Sequence, residues 1–350
     1  MKNLSAPSRL HFNEMPFDLP IHLKERVLNR MLNMPWNQYP DNSNLTSLLA
    51  DYYKVTPENI LLSNGSSVLI QLIIRCFSKV FSHAIMESPA FGLYEQCCQQ
   101  EQLPYQTWQL THDFKYNLST FPKHHEPTLV LLSSPNNPTG AVLDTASLKT
   151  LLERNPTSLF VIDEAYAEFE GTSAVPLTKQ YSNLLVLKTF SKAFGLPSIR
   201  FGYVIGQMAP LALIRKHILP FNINLFTQVA AEEVLSIPAI MAQVSFNQMK
   251  LRQIRDTFYR TICQQGSSFV ETGTPTANFL FIRFHHAQYL PLLQKVFQQN
   301  GILIADWSQQ CKGCLRISIG TAQEMQQVTD LLLAHFELLN QTVIEQALAA

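Results

Sequence analysis

Two short segments that are apolar at every position, residues 129–132 and 159–162, constrain the fold of this chain most. A strand with one face in water alternates apolar and polar side chains, whereas the sequences LVLL and LFVI do not alternate. Unbroken apolar strands are typical of sheets that helices cover on both faces. We therefore place both segments in the middle of a mostly parallel sheet.

The chain alternates strand-type and helix-type segments between about residues 60 and 206. This alternation predicts an α/β large domain, with a mostly parallel sheet covered by helices. The other strands predicted in it are residues 60–62, 84–87, 184–188 and 203–206.

A smaller α+β domain is predicted beyond this region. A long helix, broken at Pro238, is expected over residues 227–263. The elements predicted after it are a strand at 278–284, a helix at 290–299, a strand at 315–319 and a closing helix at 322–339. We assign residues 36–240 to the large domain, and residues 1–35 together with 241–350 to the small domain.

The charge balance argues against partners that electrostatic attraction would select. The 350 residues contain 26 Lys and Arg against 26 Asp and Glu, so the formal net charge is zero. Such a chain has no overall field to attract nucleic acid or an anionic membrane. No apolar run approaches the roughly 18 residues of a spanning helix, and residues 1–5 lack the apolar stretch of a secretory signal. We expect a cytoplasmic protein that binds neither nucleic acid nor membrane.

The six cysteines are too sparse and too unevenly placed for a disulfide framework. Only Cys311 and Cys314 form a pattern, a single CxxC without a second pair at zinc-site spacing or a nearby histidine. We expect most cysteines to be small buried apolar residues, and we predict no metal site.

Polar sequences follow four of the predicted strands. In open α/β sheets ligands bind outside the carboxyl ends of the strands, where connecting loops and helix N-termini converge. The four sequences are NGSS at 64–67, PNNPTG at 135–140, DEAY at 163–166 and SK at 191–192. We expect all four to face one crevice.

The first two sequences have ordinary alternatives. Gly65, Ser66 and Ser67 lead into a helical run and offer backbone N–H groups and hydroxyls that suit a phosphate. Taken alone, an ordinary turn with a serine N-cap is the favoured interpretation. Asn137 could donate a hydrogen bond into the crevice, although alone it too is better interpreted as a turn residue.

Two charged residues point more strongly to function. Asp163 ends a buried apolar strand, and an unpaired buried carboxylate is costly, so we favour a functional role. Lys192 follows a strand and lies among apolar residues. An amine that is desolvated in this way has a lowered pKa and acts as a nucleophile. The alternative interpretation is a surface lysine at the start of a helix. Arg200 could bind a phosphate and depress that pKa further. Together these groups describe a pocket for pyridoxal 5′-phosphate.

Four motifs make the chain resemble the fold-type I pyridoxal-phosphate aminotransferases, within the histidinol-phosphate aminotransferase branch. They are SSPNNPTG at 133–140, VIDEAYAEF at 161–169, TFSKAFGLPSIRFGY at 189–203 and GCLRISIGT at 313–321. The resemblance extends from about Tyr39 to Gly320 and implies the corresponding two-domain α/β fold.

The resemblance implies a role for each matching residue. Lys192 would be the Schiff-base lysine and proton shuttle, Asp163 the partner of the pyridinium nitrogen, and Arg316 the clamp for the substrate's carboxylate or the group replacing it. Asn137 and Tyr166 are expected to contact the phenolic oxygen of the cofactor. Phe91 is expected to stack on the cofactor ring, the alternative being an ordinary core residue. The residues expected at the phosphate are Ser66, Ser67, Thr189, Ser191 and Arg200.

Two further residues concern assembly and closure. Tyr39 resembles the tyrosine that reaches the neighbouring subunit's cofactor, which implies a homodimer with composite sites. Asn13 lies in the N-terminal segment that in the family helps to close over the substrate.

The implied reaction is ping-pong transfer of an amino group to 2-oxoglutarate. Histidinol phosphate is the first donor to consider, as in histidine biosynthesis. The loop at 305–312 contains no arginine and only one cation, Lys312. A threonine-phosphate-type decarboxylase and an aromatic or basic amino donor therefore stay open. A cofactor-binding regulator is disfavoured, because the resemblance begins within the first 40 residues and leaves no space for a DNA-binding domain.

Overall fold

The computed structural model describes residues 7–124 and 126–348, so the residues on which the signal-peptide argument depends, 1–5, lie outside the described part. The strands of the described residues are β1 (Ser8–Leu10), β2 (Ile60–Ser63), β3 (Ala84–Ser88), β4 (Tyr105–Gln109), β5 (Leu129–Ser133), β6 (Leu159–Asp163), β7 (Leu184–Thr189), β8 (Gly202–Gly206), β9 (Val270–Thr272), β10 (Phe279–Phe284), β11 (Ile302–Asp306) and β12 (Cys314–Ser318). The helices are α1 (Ile21–Leu32), α2 (Ser43–Tyr53), α3 (Ser66–Phe77), α4 (Leu93–Gln100), α5 (Thr145–Arg154), α6 (Met208–Arg215), α7 (Leu225–Ser236), α8 (Pro238–Gln265), α9 (Leu290–Gln299) and α10 (Ala322–Leu348).

The large sheet has seven strands in the order β2-β8-β7-β6-β5-β3-β4. The five strands β3 to β7 run parallel, and β8 is antiparallel to both of its neighbours. β5 and β6 are buried at every position and lie in the middle, as the unbroken apolar segments predict. This arrangement confirms the predicted fold class.

Helices cover both faces of this sheet because successive side chains of a strand point to opposite sides. On β6, Phe160 and Ile162 pack in one apolar cluster with residues of α2, α5 and α7. Leu159 and Val161 pack in a second cluster with residues of α3 and α4. A strand between two layers of helices has no polar face, which explains its sequence.

The small domain contains a five-stranded sheet in the order β1-β11-β12-β10-β9, packed on α9, α10 and the C-terminal half of α8. β1 pairs parallel with β11, so the first residues of the described chain join this sheet. α8 runs through the predicted boundary at residue 240: Ile240 and Val244 pack with the large-domain cluster, whereas Leu251 and Phe258 pack with the small-domain cluster.

Helix α1 departs from the predicted division of the chain. Residues 1–35 were assigned to the small domain, but Leu23 and Val27 of α1 pack in the large-domain cluster. Arg26 forms an ion pair of 2.8 Å with Glu233 of α7, and Arg30 pairs with the same carboxylate at 3.0 Å. The apolar face and these two cations therefore hold α1 on the large domain.

No single helix within the described residues has the length and apolar composition to cross a membrane, although α7 and α8, bent by 86° at their junction, meet those two criteria as a pair.

Candidate active site

A cavity of about 350 Å³ lies at the carboxyl ends of the large-sheet strands and is closed on one side by the N-terminal segment and β12. It gathers nearly all of the predicted site residues. Those lining it are Asn13, Ser66, Ser67, Phe91, Asn137, Asp163, Tyr166, Thr189, Ser191, Lys192, Arg200 and Arg316. Tyr39 is the exception: it is 76% exposed and stacks on Phe221 outside the cavity.

The start of α3 forms an anion-binding cradle. Gly65 precedes the helix with φ +95°, and a Cβ there would lie 2.6 Å from Nη2 of Arg200. A Cβ on Gly202 would lie 2.3 Å from the backbone nitrogen of Ser66. Glycines at both positions let the β8 backbone and the Arg200 guanidinium approach the first N–H groups of α3, which have no partners within the helix. The turn predicted at 64–67 is thus also a site that fits a phosphate.

The loop after β7 supplies hydroxyls beside this cradle. The Thr189 and Ser191 hydroxyls lie 3.0 Å apart, and the Ser191 backbone N–H donates to the Thr189 hydroxyl at 3.1 Å. Nη1 of Arg200 is 3.4 Å from the Ser191 hydroxyl and donates to the Pro197 carbonyl at 3.0 Å. The cradle therefore combines backbone N–H groups, two hydroxyls and one guanidinium.

Asp163 ends β6 inside the cavity wall and is only 6% exposed. The Tyr94 hydroxyl donates to one carboxylate oxygen at 3.0 Å, and the Ala165 N–H donates to the other at 3.0 Å. Burial raises the pKa of Asp163 to about 6, and these two hydrogen bonds oppose the rise. A carboxylate placed in this way can accept a proton or pair with a protonated ring nitrogen.

Lys192 lies in the loop between β7 and β8, at no helix start, and lines the cavity. Its amine donates to the carbonyl of Phe12 at 2.8 Å and lies 3.3 Å from that of Asn13. Burial lowers the pKa of Lys192 to about 8, and Arg316 and Arg200 contribute in the same direction. At neutral pH a larger fraction of this amine is therefore in the neutral, nucleophilic form than for an ordinary lysine, while the protonated form still predominates.

Arg316 approaches from β12 on the opposite side of the cavity. Its guanidinium donates to the side-chain oxygen of Asn137 and, at 2.6 Å, to the His11 carbonyl, and it lies over the Trp307 ring at 5.7 Å. Its Nε has no hydrogen-bond partner among the described residues. Burial lowers the pKa of Arg316, so an anion in the cavity would gain a strongly desolvated cation.

Asn13 fixes the N-terminal segment over the cavity. It is buried with φ +54°, a conformation that asparagine tolerates better than most residues. Its side-chain amide donates to the Tyr166 hydroxyl at 2.9 Å, and its side-chain oxygen accepts from Ser318 at 2.9 Å. The Asn278 amide donates to its carbonyl at 2.8 Å. Asn13 thus connects both domains at the cavity.

Two functional residues were not predicted. Tyr94 is the second residue of α4, and the sequence gives no sign that it faces Asp163. Glu87, the penultimate residue of β3, is fully buried and accepts hydrogen bonds from Ser133 and Asn136, which fixes the loop that carries Asn137. Burial raises the pKa of Glu87 to about 7. An acid at the end of an apolar strand was the signal that identified Asp163, and it applies to Glu87 equally.

Residues 8–332 match the protein family described as aminotransferase class I and II. One relative, the histidinol-phosphate aminotransferase 1 of Carboxydothermus hydrogenoformans, is 32% identical over 336 residues, which cover 93% of this chain and 92% of that protein. The crystal structure of the histidinol-phosphate aminotransferase from Clostridium acetobutylicum has a TM-score of 0.82 and 22% identity, covering 94% of this chain and 99% of that one. The structure of the L-threonine-O-3-phosphate decarboxylase from Porphyromonas gingivalis has a TM-score of 0.79, 21% identity and the same coverage. Both structural likenesses establish the fold alone.

Proposed function

Since this chain belongs to the aminotransferase class I and II family, whose cofactor is pyridoxal 5′-phosphate, we propose that it transfers the amino group of histidinol phosphate to 2-oxoglutarate, a step of histidine biosynthesis. The observation that carries the proposal is the convergence of the Lys192 amine, the Asp163 carboxylate and the cradle at α3 in one cavity.

The residues present fit this cofactor. The cradle at Ser66 and Ser67, with Thr189, Ser191 and Arg200, would hold the phosphate, since glycines at 65 and 202 keep its N–H groups accessible. Asp163 would pair with the ring nitrogen, and Phe91 would pack on the ring. Asn137 and Tyr166 would contact the phenolic oxygen.

The chain's own residues provide binding and proton transfer. The cofactor, when bound, supplies an electron sink for the charge left at the donor's α-carbon. Lys192 would hold the cofactor covalently, and its free amine is the base that takes and returns the α-proton. The Asp163 carboxylate, which accepts a hydrogen bond from the Tyr94 hydroxyl, would place a negative charge beside the protonated ring nitrogen of the cofactor. Asn13 and Phe12 line the side of the cavity that the N-terminal segment forms.

The choice of donor rests on the relatives and on Arg316. Relatives about one third identical over nine tenths of the chain are named histidinol-phosphate aminotransferases. The Arg316 guanidinium is the cation that would bind the carboxylate of 2-oxoglutarate or the donor's phosphate. Lys312 lines a separate surface cleft with Arg283 and His285, so it does not replace the arginine missing from its loop.

A single assay distinguishes the open reactions. Purified protein loaded with cofactor is given 2-oxoglutarate and, in parallel, histidinol phosphate, threonine phosphate, or an aromatic or basic amino acid. We expect glutamate to form fastest with histidinol phosphate. Carbon dioxide from threonine phosphate without glutamate would replace this proposal with a decarboxylase, and faster turnover of another donor would replace the substrate.

We also propose a homodimer in which Tyr39 reaches the neighbouring subunit's cofactor. Its exposed position, next to the exposed Phe221, supports this role because neither ring faces the cavity of its own chain. The cytoplasmic location expected from the sequence stays a prediction.

A further inference from the structure

The hairpin between β11 and β12 contains two cysteines that the proposed reaction does not use, Cys311 and Cys314. The Cys314 backbone N–H donates to the Cys311 carbonyl at 3.0 Å, and Gly313 between them has φ +73°. This hydrogen bond closes a reverse turn, in which the first and fourth Cα atoms lie within about 7 Å. Disulfides join Cα atoms roughly 4.4 to 6.8 Å apart, so the backbone already holds the pair near bonding range.

The two thiols differ in exposure and share one cation. Cys311 is partly exposed, whereas Cys314 is buried. The Cys311 sulfur lies 3.8 Å from Nη2 of Arg283, on the strand β10 beside Cys314. The neighbouring Cys314 thiol, together with Arg283, lowers the pKa of Cys311. The neighbouring Cys311 and burial raise the pKa of Cys314, whose thiol donates to the Lys312 carbonyl at 3.8 Å.

The other cysteines of the chain lack this setting. Cys76, Cys97 and Cys98 are buried, and burial raises the pKa of each thiol, to about 12 for Cys98. Cys263 is partly exposed, and its sulfur lies 3.5 Å from the Thr272 hydroxyl. Only the pair at 311 and 314 therefore combines an accessible thiol, a neighbouring cation and a second thiol within the described residues.

We propose that Cys311 and Cys314 form a thiol–disulfide exchange site for low-molecular-weight disulfides. The Cys311 thiolate attacks one sulfur of the small disulfide, forms a mixed disulfide and releases one thiolate. Cys314 loses its proton to solvent and attacks the Cys311 sulfur, which forms the Cys311–Cys314 bond and releases the second thiol. Two protein thiols are oxidised, and one small disulfide is reduced to two thiols.

The hairpin also connects this pair to the proposed substrate cation. The Cys311 N–H donates to the Trp307 carbonyl at 2.8 Å, and the Trp307 N–H donates to the Cys314 carbonyl at 3.0 Å. The Trp307 ring lies on the Arg316 guanidinium. On the proposed function, a bond between the two sulfurs is expected to shift Trp307 and weaken donor binding at Arg316.

The chemical test uses the full-length protein with cofactor bound, treated with oxidised glutathione and mapped by mass spectrometry after trypsin digestion. Trypsin cleaves after Lys312, so the expected bond joins peptides 296–312 and 313–316 into one species. Cys314→Ser should accumulate glutathione on Cys311, at least about tenfold faster than Cys311→Ser accumulates it on Cys314. Melting curves matching the wild type verify that both variants fold.

Three results would overturn the exchange site: no linked species, modification of Cys314 in Cys311→Ser at the rate of Cys311, or equally fast modification of Cys263. The coupling is measured separately as the donor KM before oxidation, after oxidation and after reduction. We expect a several-fold, reversible rise in the wild type and none in Cys311→Ser. An unchanged KM in protein that carries the bond would refute the coupling, whereas failure of every donor would refute the proposed function and leave the peptide result valid.

Discussion

At the scale of single residues, the cavity holds an amine and a carboxylate that burial pushes towards their neutral forms. The sequence predicted Lys192 and Asp163 because charged side chains directly after apolar strands have few ordinary explanations. It could not predict Tyr94, because an α4 residue meets Asp163 only through the packing of α4 beside β6. Charged residues at the ends of apolar strands can therefore be recognised in the sequence, whereas a supporting residue such as Tyr94, on a helix, cannot.

The pKa of Lys192 predicts how cofactor uptake depends on pH. A neutral amine is the reactive form, so the rate at which cofactor-free protein acquires visible absorbance with pyridoxal phosphate should rise with pH through about 8 and then level off. Because the Arg316 charge lowers this pKa, Arg316→Gln should move the midpoint upward. Stopped-flow absorbance measures the rate of cofactor uptake at each pH for the wild type and for Arg316→Gln.

Lys192→Ala is the control for that experiment. It should acquire no such absorbance, and its turnover should fall by about 10²-fold to 10⁴-fold or more. Turnover retained by this variant would contradict the assigned role of the amine.

The pKa of Asp163 predicts a gain in stability when its charge is removed. Between pH 3.8 and about 6 the folded protein keeps a proton that the unfolded chain loses, so ionisation of Asp163 lowers the free energy of unfolding as pH rises. Cofactor-free Asp163→Asn should therefore be more stable than cofactor-free wild type, by about 1 to 3 kcal/mol near neutral pH and by much less near pH 4. Denaturant titration at both pH values measures the difference.

Loss of cofactor affinity should accompany this gain, because the amide cannot pair with a protonated ring nitrogen as a carboxylate does. A variant that is no more stable than the wild type at neutral pH would show that Tyr94 and Ala165 fully compensate the buried charge.

At the scale of elements, the sequence was most informative where a strand is buried on both faces. β5 and β6 were predicted because their first four side chains, 129–132 and 159–162, are all apolar. β4, at the edge of the sheet, buries only Trp108 and resembles a loop in sequence. β1 and β9 have three residues each, which is too short for a period to be recognised. A strand at the edge of a sheet is recognised by its hydrogen bonds to the neighbouring strand. That neighbour is distant in the sequence, so the local pattern does not reveal it.

Because β8 lies close to α3, one methyl group added at Gly202 is predicted to weaken cofactor binding strongly. In Gly202→Ala the added Cβ would lie 2.3 Å from the Ser66 nitrogen, so the first turn of α3 must move. We expect cofactor affinity to fall at least about tenfold, because the N–H groups of the cradle lose their positions. Gly92→Ala, whose Cβ would have no atom within 4 Å, is the matched control and should bind cofactor like the wild type. Equal affinities in the two variants, measured by fluorescence titration, would show that the cradle tolerates displacement.

At the scale of the whole molecule, the cavity is built where two domains meet. β12 brings Arg316 from the small domain, and the N-terminal segment brings Asn13, whereas Lys192 and Asp163 come from the large sheet. The sequence did not predict the packing of α1 on the large domain, because its docking depends on Arg26 and Arg30 meeting Glu232 and Glu233, more than 200 residues away. Ion pairs between residues so far apart in the sequence form only when the folded chain brings them together.

The proposed composite sites predict recovery of activity when two defective chains are mixed. Tyr39→Ala and Lys192→Ala homodimers should each be weakly active or inactive, because one lacks the residue lent to the neighbour and the other lacks the amine. After unfolding and refolding in equal amounts, half of the dimers carry one chain of each kind, and one of their two sites has both Tyr39 and Lys192. About one quarter of wild-type activity is expected. Asp163→Asn mixed with Lys192→Ala is the control and should recover nothing, since both residues line the cavity of one chain. Full activity of Tyr39→Ala alone, or no recovery in the mixture, would contradict a site shared between subunits.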